Sequence, residues 1–494
     1  MLHPPTSLKN ENLALLRNKA FCPNYNRGEL TPGIVHIGVG NFHRAHQSWY
    51  LHRLMQNGDA HDWAIIGAGV RPYDVEMRLN LQKQDYLSTL IELDPEGMSV
   101  EIVGSMIGYL PVETDNGALI AQMCNPEIRI VSLTVTEGGY YVQSAGGGFD
   151  HQHADIMFDV QNPRRPRTAF GAIVEAFRLR RQARQNAFTV LSCDNLHCNG
   201  EVARQTILGL AELIDPDLAA WINAKATFPN SMVDCIVPAS GAEASAQAAK
   251  MGIADPVVVT HENFRQWVLE DKFCAGRPNW QEAGVTFSED VLAFESQKIR
   301  ILNAGHQIVA NSAELLGIEL ISTAMQNDLI RKLFNKIQVA EIIPHVAPVS
   351  GLTPAQYVKL VEKRFLNPSV NDTVRRVCFD GSSRHPGFVL PSLRDALVQN
   401  TAISGLAFTE AAWAKMCLGR RENGSEIAPN DPSWDTLKTC AQRAVANPCI
   451  WLEQQNIYGD LVENTRFRNA FCKWFQILAT QGVNPAIQSY LKGG

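Results

Sequence analysis

The sequence predicts an α/β protein in two parts, with strands and helices alternating in the N-terminal part and a mainly α-helical C-terminal part. Three observations carry this reading. Short β-branched runs that end in glycines alternate with helically spaced segments up to about residue 280, the pattern of a parallel sheet covered on both faces. From about Ser288 the chain changes to long amphipathic segments with few strand signals, as helical domains do. At 494 residues it is also too long for one comfortable apolar core. Two domains are therefore expected, 1–287 and 288–494, with the change of pattern between Gly284 and Ser288.

Taken in order, residues 33–40 form an apolar run closed by glycines and read as a buried strand. The stretch from Asn41 to Met55 has helical spacing and stops at Asn57-Gly58, and residues 62–69 form a second strand with a glycine end. Strand, glycine turn, helix and strand is the unit that opens a Rossmann-type dinucleotide-binding fold. Further strands are expected at 128–136 and 188–193, separated by a helix over 168–184, with a late strand at 257–260. In the second part helices are expected over 289–316, 319–341, 354–365, 390–416 and 461–491. Internal repeats are not visible.

Composition excludes several classes. The net charge of −6 offers no basic footprint for nucleic acid. The first ten residues carry no basic region followed by an apolar stretch, so no secretory signal is expected. No apolar run reaches the roughly 18 residues a membrane span needs. The 11 cysteines are scattered and mostly lie in apolar segments, which predicts reduced thiols, a cytoplasmic location and no disulfides. No extra exposed apolar segment argues for self-association, so a monomer is expected.

Gly38 and Gly40, after a strand and before a helix, fit a phosphate-cradling turn in which bare backbone lets a pyrophosphate reach the helix N-terminus. His43 stands at the third glycine position of the usual fingerprint, so a plain tight turn is the alternative. Asp74, just past the second strand, is placed to accept hydrogen bonds from ribose hydroxyls and to repel a 2′-phosphate, which favours NAD over NADP. Arg71 can hold an adenine or a phosphate, while a solvated turn carboxylate is the plain alternative for Asp74. Thr134 to Tyr140 and Ser192 to Leu196 both follow strand ends, where ligands bind in open α/β sheets. Asn195 there can donate an amide hydrogen bond to a substrate oxygen. Cys193, His197 and Cys198, like His43 and His46, lack a second ligand pair at structural zinc spacing, so no metal is expected.

The run Lys298-Ile-Arg-Ile-Leu-Asn-Ala-Gly-His306 puts an amine, an amide and an imidazole on one segment. At helical spacing Glu295, Lys298, Asn303 and His306 share a sector of about 140°. An alcohol releases hydride once its proton leaves, and a desolvated lysine can accept that proton near neutrality. Lys298 then reads as the base, Asn195 and Asn303 as donors to the developing alkoxide, His306 as the group orienting hydroxyls, and Glu295 as a proton relay to solvent. Taken alone, Lys298 reads more readily as an exposed helix lysine paired with Glu295.

Together these segments resemble the polyol-specific long-chain dehydrogenases, the family of mannitol 2-dehydrogenase and mannonate oxidoreductase, from about residue 30 to residue 480. The carrying stretches begin at Ile34, Ser132, Phe188, Phe228 and Gln266, and include the run from Lys298 to His306 and Asp380-Gly-Ser-Ser383. The resemblance implies a Rossmann-type domain, a helical C-terminal domain and an active site in the cleft between them. It implies metal-free catalysis with Lys298 as general base, Asn303 and His306 around the reacting oxygen, Asn195 joining them, and Glu295 in proton exchange. Asp234 and Arg376 fall on its substrate-binding positions, and Gly38, Gly40, Phe42, His43, Arg44, Arg71 and Asp74 on the cofactor side.

Gly138 and the stretch from Arg375 to Ser383 match the polyol branch of that family. Arg300 matches the mannonate enzymes instead, Arg384 replaces a lysine, Gly305 a serine and Tyr73 an acid. The expected reaction is therefore NAD-dependent oxidation of an open-chain polyol to a ketose, mannitol to fructose or a close relative. A hexuronate reductase and a non-catalytic sugar- or nucleotide-binding protein are the alternatives.

Overall fold

The computed structural model describes residues 4–143, 148–238 and 241–493. It divides into two compact units, Met1–Leu292 and Ala293–Gly494.

The first unit is organised by a five-stranded parallel sheet. Its strands are β1 (Pro32–Ile37), β2 (Ala64–Ala68), β3 (Met106–Tyr109), β4 (Ile130–Leu133) and β5 (Thr189–Ser192), and they lie in the order β3-β2-β1-β4-β5. This is the strand order of a doubly wound nucleotide-binding sheet. Ile34, Val35 and Ile37 are wholly buried, because a central parallel strand is covered on both faces. His36 is wholly buried in the same strand, which is tolerable because its ring faces Ser132 Oγ at 2.8 Å and Thr134 Oγ1 at 2.9 Å. Burial pushes its pKa down to about 3, so the ring is neutral.

The single helix expected from Asn41 to Met55 is two helices, α1 (Asn41–Ala45) and α2 (Gln47–Gln56). They break at His46, whose φ of −118° and ψ of −93° leave helical space. The helix expected over 168–184 is α3 (Ala169–Gln182), begun by the Thr168 side chain accepting from Gly171 N–H.

Among the described residues three smaller sheets were not read from the sequence, the smallest a parallel pairing of Thr6–Ser7 with Ile253–Ala254. The late strand is Val259–Glu262, and it pairs with Ser88–Asp94 outside the main sheet, where Ser88–Asp94 and Gly97–Val103 form an antiparallel hairpin. Ser231–Asp234 pairs antiparallel with Gln266–Leu269.

The second unit is helical. α4 (Val291–Gln297) runs through a π-helical segment, Lys298–Asn303, into α5 (Ala304–Leu316), which is buried at every residue but Leu316. α5 has to be buried on every side because it forms the centre of this unit's apolar core.

The expected segment 319–341 breaks at Asn327, whose side chain accepts from Leu329 and Ile330 N–H and restarts the helix. The segment 390–416 breaks between Gln399 and Ile403, and 461–491 breaks at Gly482, whose φ is +87°. The helix Trp434–Ala444 lies outside the expected segments. Gln338 donates to the carbonyl of Ile301 at 2.8 Å, which satisfies a backbone acceptor inside the π segment. Among the described residues no helix is long and apolar enough to cross a membrane.

Candidate active site

In the first unit, the turn after β1 opens on a cavity of about 970 Å³. Gly38 has a φ of +97°, and a Cβ there would lie 2.1 Å from the Thr134 carbonyl oxygen. Only glycine fits, for both conformation and space. Gly40 differs: a Cβ there would meet nothing within 4 Å, so the backbone at the start of α1 lies open to a ligand. Gly38, Gly40, Arg71 and Asp74 all line the cavity. Its volume falls at the upper end of ordinary ligand sites, and a dinucleotide fits the combination of bare glycine backbone and a carboxylate beyond the second strand.

Asp74 Oδ2 accepts from Val70 N–H at 3.1 Å and Arg71 N–H at 2.9 Å, so the carboxylate is fixed against its own loop. Gly69 makes this possible, since a Cβ there would stand 2.3 Å from Asp74 Cβ.

Three residues expected on the cofactor side are placed otherwise. His43 is wholly buried and stacks on His36 with ring centroids 3.4 Å apart. Arg44 is buried and donates to Gly40 O, Asn41 Oδ1 and Val257 O. Phe42 stacks on His46 and packs against the core. None of the three lines the cavity. Position next to the glycine turn says nothing of which way a helical side chain points. Arg44 instead braces the turn by binding the Gly40 carbonyl.

Asn195 is exposed just beyond β5. Its neighbour Asp194, which the sequence reading passed over, is buried and accepts from Val135 N–H at 3.0 Å, Thr136 N–H at 2.9 Å and Tyr140 O–H at 2.7 Å. Thr136 has a φ of +64°, unusual for a β-branched residue, and the Asp194 carboxylate holds it there. Thr134, Val135 and Thr136 line the cavity, so Asp194 shapes one of its walls. Burial raises the Asp194 pKa to about 6 against these hydrogen bonds, with Glu137 adding to the rise. Asn199 ties the same region to the next strand, donating to Asp194 O at 3.0 Å and Ser231 O at 2.9 Å. That strand ends in buried Asp234.

In the second unit, Glu295, Lys298, Asn303 and His306 are all buried, at 6–8 % exposure. A lysine so covered is not the solvated helix lysine of the alternative reading. The 140° sector assumed a continuous α-helix, and this is corrected by the π segment. Lys298 and Asn303 would sit about 140° apart on an α-helix. The π hydrogen bond links residues five apart, and it brings these two closer to one face.

His306 lies one turn further, stacked on Phe365 with centroids 4.1 Å apart, and its Nε2 is 3.6 Å from Asp372 Oδ2. Burial pushes its pKa down to about 3, and Arg376, Arg364 and Arg384 push the same way against Asp372. The ring is neutral at physiological pH, able to orient a hydroxyl but not to act as a standing acid.

Asp372 also holds Arg376 through both carboxylate oxygens, at 2.7 and 2.9 Å. It was missed in the sequence although it stands four residues before Arg376. Arg300 pairs with Asp395 and donates to His345 O at 2.9 Å. Its guanidinium is thereby committed within the fold. Among the described residues no group of three or more His, Cys, Asp or Glu side chains could hold a metal ion.

A doubly wound parallel sheet whose glycine turn opens on a dinucleotide-sized cavity, followed by a helical unit with buried Lys, Asn and His, defines a nucleotide-dependent oxidoreductase. The mannitol dehydrogenase Rossmann domain matches residues 32–282, and the mannitol dehydrogenase C-terminal domain matches residues 290–479. The chain belongs to the mannitol dehydrogenase family.

Among its relatives, the mannitol 2-dehydrogenase of Cereibacter sphaeroides is 51% identical over 469 residues, covering 95% of this chain and 98% of the relative. That of Aspergillus terreus is 36% identical, with 99% of each chain covered. Pseudomonas fluorescens mannitol 2-dehydrogenase, solved as a ternary complex with NAD and D-mannitol, superposes with a TM-score of 0.90 at 37% identity, covering 99% of this chain and 100% of the other. A D-sorbitol dehydrogenase in substrate-free form gives 0.87 at 35% identity, covering 98% and 100%.

Proposed function

We propose that this chain is an NAD-dependent, metal-independent polyol dehydrogenase that oxidises D-mannitol to fructose. The observation that carries the reading is the buried π turn, which sets Lys298 and Asn303 toward one face with neutral His306 one turn on. Its similarity to the mannitol 2-dehydrogenases supports the substrate.

Gly38 and Gly40 would hold the pyrophosphate of NAD through bare backbone, and Asp74 would take its ribose hydroxyls, all three lining the cavity. NAD, when bound, supplies the hydride acceptor. Lys298 Nζ takes the proton of the reacting hydroxyl, and that transfer leaves the carbon ready to give up hydride. The amide N–H groups of Asn195 and Asn303 hold the oxygen as it gains negative charge. His306 orients a neighbouring hydroxyl, Asp234 and Arg376 hold the rest of the polyol, and Glu295 passes the proton on to solvent.

The hexuronate alternative leans on Arg300, whose partners Asp395 and His345 weaken it as a carboxylate ligand. The experiment is NADH formation with D-mannitol, sorbitol, arabinitol and mannonate, each with and without a chelator. The reading expects the highest kcat/KM with mannitol and no effect of the chelator. Turnover of mannonate alone would replace it with the hexuronate reading, and loss of activity with the chelator would remove metal independence.

A further inference from the structure

Cys449 and Cys472 bring their sulfur atoms to 2.8 Å from each other across 23 positions of sequence. Both are free thiols and partly exposed. Each is carried on fixed backbone. Cys449 lies in the short 3-10 helix Pro448–Glu453, where its N–H donates to Asn447 Oδ1 at 3.3 Å and its neighbours Trp451 and Leu452 are buried. Cys472 lies on the helix Thr465–Gln481, which is anchored by buried Phe471, Trp474 and Phe475. A disulfide bond is about 2.05 Å long, so closing the gap takes roughly 0.8 Å of sulfur movement, within the reach of small side-chain rotations.

We propose that Cys449 and Cys472 form a redox-active dithiol, a modification site at which a low-molecular-weight disulfide oxidises the pair. The thiolate of Cys449 attacks one sulfur of that disulfide, forming a mixed disulfide and expelling one small thiolate. Cys472 then attacks the Cys449 sulfur, forming the protein disulfide and expelling the second small thiolate, which takes up the Cys472 proton. Two protein thiols are oxidised, and one small disulfide is reduced to two thiols.

The order of attack follows from the surroundings. Burial, together with the neighbouring thiol, pushes the Cys472 pKa upward, which suits it to the second step, where the partner sulfur is already in place, rather than to the first. Cys440, whose Sγ lies 3.6 Å from Ile450 O, is the neighbouring competitor.

The test incubates the full chain with millimolar oxidised glutathione, then counts thiols under denaturing conditions and maps peptides without reduction. The expected result is the loss of two thiols per chain and a linked peptide pair holding Cys449 and Cys472, lighter by two hydrogen atoms and reversed by dithiothreitol. Cys472→Ser should accumulate a glutathione adduct on Cys449, and Cys449→Ser should give no linked pair. Both cysteines remaining free, separate adducts on the two, or a link through Cys440 would each overturn the proposal. The readout needs neither NAD nor a polyol, so it stands or falls apart from the proposed reaction.

Discussion

Asp74 shows how one side chain can serve both loop and ligand. Its Oδ2 is committed to Val70 and Arg71 N–H, and the residue as a whole lines the nucleotide cavity. Replacing it by Ser should therefore weaken NAD binding by about tenfold, the cost of one hydrogen bond to a charged group, and raise the relative affinity for NADP. Nucleotide titrations by fluorescence quenching check this, and an unchanged NAD to NADP ratio would remove Asp74 from discrimination. Residue types were the most legible level of the sequence, because glycines, an acid after the second strand and a Lys/Asn/His run have chemical meaning wherever they point. Direction was not legible. His43 and Arg44 stand beside the glycine turn in sequence, yet they are buried; Asp194 acts through Val135, Thr136 and Tyr140, and Asp372 reaches His306, neighbours the sequence cannot place beside them, whereas the pairing of Asp372 with Arg376 is a local one four residues apart.

The strand and turn signals of β1 and β2 were readable because a buried parallel strand is mainly apolar and these two are closed by Gly38 and Gly69. Gly38→Ala tests that element directly. The added Cβ would meet the Thr134 carbonyl, and the residue would be held at positive φ. A loss of about 1–3 kcal/mol of stability is expected from the backbone conformation alone, together with loss of nucleotide affinity. Chemical denaturation and nucleotide titration read the two effects, and wild-type values in both would contradict the geometry. The π turn was not legible, since Lys298–Asn303 has the apolar spacing of an ordinary helix and nothing local marks the change of hydrogen-bond register. The hairpin of Ser88–Asp94 and Gly97–Val103 did carry a signal in Asp94-Pro-Glu-Gly97, a turn sequence with the right residues.

At the scale of the whole molecule, the buried neutral histidines set the response to acid. His36, His261 and His306 each have pKa values pushed down to about 3, chiefly by burial. Between that value and the ordinary 6.5 the unfolded chain binds more protons, so stability falls as the pH falls below about 6.5. Each histidine contributes on the order of 2 kcal/mol to the loss by pH 5. Asp194, raised to about 6, works in the opposite sense between about 3.8 and 6 and offsets part of it. Thermal midpoints measured from pH 7.5 to 5 should therefore drop steadily, and a flat profile would contradict the burial of these rings. The division into a nucleotide-binding part and a helical part was legible because periodicity changes along the chain. The breaks at Asn327, residues 399–403 and Gly482 were less so, because amphipathic spacing continues across them. The proposed chemistry rests on Lys298 as the proton acceptor. The most direct measurement is kcat for D-mannitol in Lys298→Ala, with NAD affinity measured on the same preparation. A fall of roughly 10²–10⁴-fold with nucleotide binding unchanged is expected, and turnover within a few-fold of the unsubstituted chain would contradict Lys298 as the base.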